Sequence, residues 1–362
     1  MALRALSSLD VVSEEPAVVN EILHAVEQAF GPHGPGVLLV DNLYEGFEND
    51  RLCLFQGARA LASLSEDELN ELEFPELQYA VGWSRGREKF SGVLDLNKGS
   101  FYANPLHDDP AKKRTRLHKK YKHYDYKNYW PQQPSCANVE MYFKKIGRYI
   151  NQIGIHIARH CDLYLQRKAG EGGNLPSLTD LLRVSTAAKG RLLHYFPNVE
   201  NGSPVRKDND LWCAYHNDHG LLTGLVSASY YEDDKHVPTG KCPDDAAGLH
   251  IMSRDSDRAQ KVSFPPHCLA FQIGETAQIL SGGLLRAAPH AVMMPKDVSS
   301  LSRVSFAMFM SPNPDVSLPL PPFADPENAL ETHPCIPSLF ERYETGDTVG
   351  SFSARTIKAY NE

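Results

Sequence analysis

The spacing of hydrophobic positions changes about half-way along this chain. In the first half they recur every three or four residues, the period of an amphipathic helix. Val19, Ile22, Leu23, Val26 and Phe30 predict a helix running from Pro16 until GPHGPG breaks it, and Gly36–Val40 then reads as a buried strand. A second helix is expected over Glu48–Ala62, with Leu52, Phe55, Ala58, Leu61 and Ala62 on one side. Ser65-Glu-Asp-Glu resembles a capping box that opens a short third. Tyr79–Leu106 is rich in Gly and aromatic residues and reads as irregular strands and turns. Asn138–Leu165 carries the longest stripe, formed by Met141, Ile146, Ile150, Ile153, Ile157 and Cys161, a face suited to packing on a sheet.

After the Gly-rich break GEGGN and a short helix near Pro176–Leu182, strand-like runs take over. They are Gly190–Phe196, Trp212–Tyr215, Thr223–Tyr231, Gly248–Met252, Leu269–Ile273, Ala277–Leu280, Ala291–Met294 and Arg303–Phe309. Short strands separated by turn residues at this density predict a sandwich, barrel or jelly roll. The expected architecture is therefore α+β with a mainly β core. A flexible leader spans 1–15, a helical region 16–170, the β core 186–315, and a Pro-rich tail with a C-terminal helix 316–362. The boundary between the halves falls near 170–188.

Composition narrows the class of protein without naming a chemistry. The 362 residues are 42% hydrophobic and 23% charged, as in soluble globular proteins. A net charge of −8 gives no general attraction for nucleic acid or an anionic membrane, and no apolar run approaches the ~20 residues of a membrane span. The run Lys112–Lys127 interleaves basic residues with tyrosines, which could grip a nucleic-acid backbone. In an acidic chain it reads first as a solvated surface. The N-terminus has one Arg and no sustained apolar core, so a secretory signal is not expected there. Seven scattered cysteines without a CxxC pair predict reduced thiols. The expected setting is the cytoplasm.

Candidate chemistry sits in Leu211–Leu225, LWCAYHNDHGLLTGL. On a strand, His216 and Asp218 would share a face, an imidazole beside a carboxylate. That pair is two-thirds of the 2-His-1-carboxylate triad that holds Fe(II) and leaves coordination positions open. A third ligand would come from a later strand. His219 would point to the opposite face, and His236 and His267 sit beside prolines in turns. His250 in GLHIM and His290 at the entry to AVMM both fit the pattern. Further on, Arg303 and Ser305 share a strand face. A guanidinium turned into a β core needs an anion, supplied either by a ligand carboxylate or by an internal acid.

These features in this order resemble the isopenicillin N synthase-like family of 2-oxoglutarate/Fe(II)-dependent dioxygenases. The likeness extends to the run His216-x-Asp-x-Gly-x-Leu-Thr223, to Gly248-Leu-His-Ile-Met, to Phe271-Gln-Ile-Gly-Glu-Thr-Ala-Gln-Ile-Leu-Ser281, and to Asn128-x-Trp-Pro-x-x-Pro134. It covers roughly residues 15–315.

The resemblance implies a double-stranded β-helix (jelly roll) with iron on His216, Asp218 and His290, and with Arg303 and Ser305 holding the distal carboxylate of 2-oxoglutarate. It implies O2 as co-reactant, ascorbate as a reductant, and oxidation of a small molecule with release of succinate and CO2. A monomer with no membrane or nucleic-acid partner is the expected form. The family's Asn-x-Tyr pair aligns with His194 and Phe196 of His194-Tyr195-Phe196-Pro197, which makes His194 a further cosubstrate contact and leaves Phe196 without the tyrosine hydroxyl. Longer separations after Asp218 and His290 are assigned to loops at Glu232–Ala247 and Pro295–Ser302. Two alternatives remain on sequence grounds: an iron oxidase of this fold that does not use 2-oxoglutarate, and a non-catalytic binding protein.

Overall fold

Strands from both halves of the chain meet in one sheet, which corrects the expectation of a helical region set beside a separate β core. The computed structural model describes residues 5–87, 89–90, 93–94, 96–113, 121, 124–170, 175–197, 199–200, 203–204, 211–232, 235–237, 242–252, 258–298 and 300–361. Most of the basic run after Lys113 and part of the Glu232–Ala247 loop therefore lie outside the described residues.

The first half contains β1 (Ala5–Ser7), α1 (Ser8–Val11), α2 (Pro16–Phe30), β2 (Val37–Asp41), α3 (Phe47–Ala62), α4 (Glu66–Asn70), β3 (Gly82–Arg85), β4 (Lys98–Ala103), α5 (Val139–Ala169) and α6 (Leu178–Arg183). The second half contains β5 (Lys189–Tyr195), β6 (Leu211–His216), β7 (Leu222–Val226), β8 (Ser229–Glu232), β9 (Gly248–Met252), β10 (Ala259–Lys261), β11 (Leu269–Ile273), α7 (Glu275–Leu280), β12 (His290–Met293) and β13 (Leu301–Met310). Three helices close it: α8 (Pro326–Ala329), α9 (Leu339–Arg342) and α10 (Val349–Asn361).

The main sheet runs β1-β2-β11-β7-β13-β5-β4-β3, with β8 also paired to β13. A smaller sheet, β6-β12-β9-β10, faces it. Together they form the double-stranded β-helix, and side chains from both sheets line the space between them. On the opposite face of the main sheet lies the largest apolar cluster, where α3 and α5 pack.

The 31-residue α5 buries Phe143, Ile146, Ile150, Ile153 and Ile157 as its stripe predicts. Met141 departs from that stripe and is 52% exposed, while Phe143 takes the buried place. Contact with the sheet is close. A Cβ at Gly224 of β7 would lie 2.1 Å from Ile150, so no larger residue fits between strand and helix.

Two local expectations change. Ala277–Leu280 is not a strand but part of α7, whose six residues are all buried. A helix buried on every side has no polar face, so its period cannot be told from a short core strand. The supposed leader is also structured from Ala5. Its β1 pairs in parallel with β2, and the ring of His160 in α5 donates from Nε2 to the Val11 carbonyl at 2.8 Å.

Burial holds the His160 ring below its usual pKa, and its Nδ1 has no partner among the described residues. The neutral ring is thus favoured in the fold, and the unfolded chain takes up the proton first. That contribution to stability is present above the ordinary histidine value and lost as pH falls through the lowered one. His160→Ala should lower the melting temperature at neutral pH by about 1–3 °C, with the loss shrinking in acid. Thermal melts of the two proteins across pH check this. An equal difference at every pH would count against it.

Candidate metal centre

The smaller sheet brings two histidines side by side. His216 ends β6 and is the cross-strand neighbour of His290, the first residue of β12, with ring centroids 4.3 Å apart. After His216 the chain leaves the strand, and the turn carries Asp218 round so that its Oδ1 lies 3.9 Å from His216 Nε2. One ligand atom from each of His216, Asp218 and His290 falls within 4.8 Å of the others. His250, the other candidate on pattern, does not join this group among the described residues; its Nδ1 lies 3.0 Å from the Gly248 carbonyl.

Each ring is oriented from behind. His216 Nδ1–H donates to the Ala214 carbonyl at 2.8 Å, and His290 Nδ1 faces the Ala288 carbonyl at 3.4 Å. Both Nε2 atoms are then the ones available to a metal, an outer-shell arrangement that fixes tautomer and angle. Burial lowers both imidazole pKa values, that of His290 to about 4, so the rings stand neutral with lone pairs exposed. Burial alone would push the Asp218 carboxyl up. Its neighbours His290 and His216 and the Thr223 hydroxyl outweigh that and hold it below the usual carboxylate range. Asp218 Oδ2 is nevertheless buried with no hydrogen-bond partner among the described residues. A buried carboxylate clustered with two imidazoles, and with one oxygen unpartnered, fits a divalent cation.

The main sheet supplies the opposite wall. Alternation along β13 points Arg303, Ser305, Ala307 and Phe309 into the pocket, and along β5 it points Arg191, Leu193 and Tyr195. Arg303 is buried, donates to Ser305 Oγ at 3.1 Å and to the Tyr230 hydroxyl, and has the Tyr195 ring 5.0 Å away. Its Nε has no partner, and no carboxylate pairs with it among the described residues. That removes the internal acid as its counter-ion within the described chain and leaves a place for a ligand carboxylate.

His194 is not part of this wall, which corrects its assignment as a cosubstrate contact. It lies on the opposite face of β5, its ring tilted against that of Phe196, which in turn lies 3.7 Å beneath the Arg85 guanidinium. Counting back from the proline is one residue out of register. A one-residue slip on a strand exchanges faces. The pair spaced i, i+2 on the pocket side is Leu193 and Tyr195, so a tyrosine hydroxyl does belong to the pocket. Arg191, Thr223 and Tyr230 were also missed: no chosen residue lies on β7 or β8, and alternation from His194 on β5 selects the face away from Arg191.

Residues 191–312 match the model of the 2OG-Fe(II) oxygenase superfamily. These residues, about a third of the chain, are similar to that superfamily. Flavanone 3-dioxygenase 3 of Oryza sativa subsp. japonica is 26% identical over 201 residues, 51% of this chain and 48% of that protein. The chain thus spans about half the length of that curated relative.

Among solved structures, a full-length Neurospora crassa protein in complex with alpha-KG superposes with a TM-score of 0.65 at 15% identity, covering 99% of this chain and 96% of that one. The 2-oxoglutarate complex of an Arabidopsis thaliana dioxygenase for auxin oxidation gives 0.58 at 18% identity over 90% and 99%. At these identities the structures speak for the fold alone, a double-stranded β-helix. No described helix is long and apolar enough to cross a membrane.

Proposed function

We propose that the protein is an Fe(II)- and 2-oxoglutarate-dependent dioxygenase that hydroxylates or desaturates a small molecule and releases succinate and CO2. One observation carries the reading. The clustered donor atoms of His216, Asp218 and His290 share a single pocket with Arg303 and Ser305.

In this proposal His216, Asp218 and His290 hold the iron. Arg303 and Ser305 take the distal carboxylate of 2-oxoglutarate, with Tyr195 and Tyr230 closing round it. Iron with 2-oxoglutarate supplies oxidative decarboxylation coupled to oxidation of the substrate, with O2 as oxidant and ascorbate as a reductant. The chain's own work is placement. Arg303 fixes one end of the cosubstrate, and the neutral imidazoles and charged Asp218 present donors that need no proton removed. Leu193, Leu225, Val292 and Phe309 give the walls between them an apolar surface that limits water.

Relatives named for a flavanone and for auxin, and a Neurospora crassa protein solved with alpha-KG and thymine, support a small organic substrate. The lining adds a direction. Besides Arg303, its described residues include Arg191 and Lys261, and its single carboxylate is the ligand Asp218, so a substrate bearing an acid group is favoured by charge.

Anaerobic addition of Fe(II) and 2-oxoglutarate to the purified protein is expected to produce a weak visible charge-transfer band. Admitting O2 should then form succinate. A metabolite panel should show 2-oxoglutarate-dependent losses concentrated among carboxylic acids. A folded sample giving neither band nor succinate would sink the proposal. Substrate loss that ignores 2-oxoglutarate would replace it with an oxidase on the same iron.

A further inference from the structure

The turn that carries Asp218 away from His216 at the end of β6 is held from outside the β-helix, by α7 and by the far end of the chain. Asn217, between His216 and Asp218, contacts both. Its backbone N–H donates to the Tyr360 hydroxyl of α10 at 3.0 Å, and its side-chain Nδ2 donates to Glu275 Oε1 at 3.0 Å.

Glu275 is fully buried and receives both terminal nitrogens of Arg342 from α9 at 2.7 Å each. Arg342 in turn donates to Thr356 Oγ1 of α10 at 2.9 Å. The remaining side of the turn faces α7. Glu275 N–H donates to the Asp218 carbonyl at 2.8 Å, Thr276 N–H to that of Gly220 at 3.1 Å, and the Thr276 hydroxyl to that of His219 at 2.7 Å. Gly274 permits this approach, since a Cβ there would sit 2.1 Å from the Gly220 oxygen.

We propose that Asn217 and Tyr360 are positioning residues of the metal centre, with Glu275 and Arg342 as the fixed point they act against. This rests on His216 and Asp218 being ligands. The turn sets where Asp218 stands relative to His216, and its two outward donors both end on this brace. A buried ion pair is a poor device for stability, because apolar residues of similar volume do as well. A bidentate pair does fix direction, and here that direction is handed to Asn217. Tyr360 also sets its ring perpendicular to that of His216, with centroids 6.5 Å apart.

The probe is Mn(II), a divalent ion whose free form is read by electron paramagnetic resonance without turnover. Tyr360→Phe keeps the ring and removes the acceptor, and Asn217→Ala removes the link to Glu275. Each is expected to weaken Mn(II) binding by about 10- to 100-fold, the range for outer-shell changes, while the metal-free melting temperature falls by no more than about 3 °C. Metal-saturated protein should keep its KM for 2-oxoglutarate. Wild-type affinity in both folded variants would overturn the brace and leave the iron reading standing. A wild-type protein that binds no Mn(II) would overturn both.

Discussion

Asp218→Ala should abolish metal-dependent turnover of 2-oxoglutarate while leaving the metal-free protein folded and only modestly less heat-stable than the wild type. The two effects have one cause. Asp218 is buried, and its Oδ2 has no protein partner among the described residues. Without metal, neighbouring imidazoles and the Thr223 hydroxyl outweigh the desolvation cost of that charge. Removing the carboxylate forfeits this net gain and leaves a small cavity, a modest loss in the metal-free protein. With metal the loss grows. A ligand present at about 100 times its Kd stabilises the wild type by about 2.7 kcal/mol, and the variant forfeits this. Thermal melts in chelator and in excess Mn(II) separate the cases. A large loss of stability in chelator would mean that Asp218 is a structural residue, and metal-induced stabilisation of the variant would mean that the ion binds elsewhere.

Arg303→Met carries the second large effect. Truncating one partner of a buried, hydrogen-bonded charge pair costs about 2–5 kcal/mol, so the KM for 2-oxoglutarate should rise by about 30- to 3,000-fold. Arg303→Lys should recover part of this, because an ammonium keeps the charge and loses the planar fork. Mn(II) affinity should stay at the wild-type value in both, since Arg303 lies on the opposite sheet from the metal donors. If KM for 2-oxoglutarate does not move while that of the organic substrate does, Arg303 holds the substrate's acid group instead.

Much of this is legible in the sequence. Alternation on β13 gives Arg303 and Ser305 one face, and the pocket contains both. His216 and His290 can be paired only through a family pattern, because nothing local distinguishes His290 from His250. The structure distinguishes them by register: His290 is opposite His216, while His250 is opposite Ala291 and Lys261. The slip at His194 shows the limit of reading from a proline, since one residue separates the two faces of a strand. The brace is out of reach altogether. Glu275 and Arg342 are 67 positions apart, and neither α7 nor α9 has a periodicity that announces its partner.

The mixed origin of the main sheet bears on how the chain is made. Its β2 lies between β1 and β11, and Val40 pairs with Leu269, more than two hundred residues later. At about 5–20 residues per second, synthesis of that interval takes about 10–50 s. Throughout that time one edge of Val37–Val40 lacks its partner, and once made, the apolar stripe of α5 waits for β7 and β13. Closure of the β-helix must wait for β11 and β13. A chain stalled or cleaved before them presents an apolar strand with an open edge to its neighbours, the condition under which aggregation competes with folding.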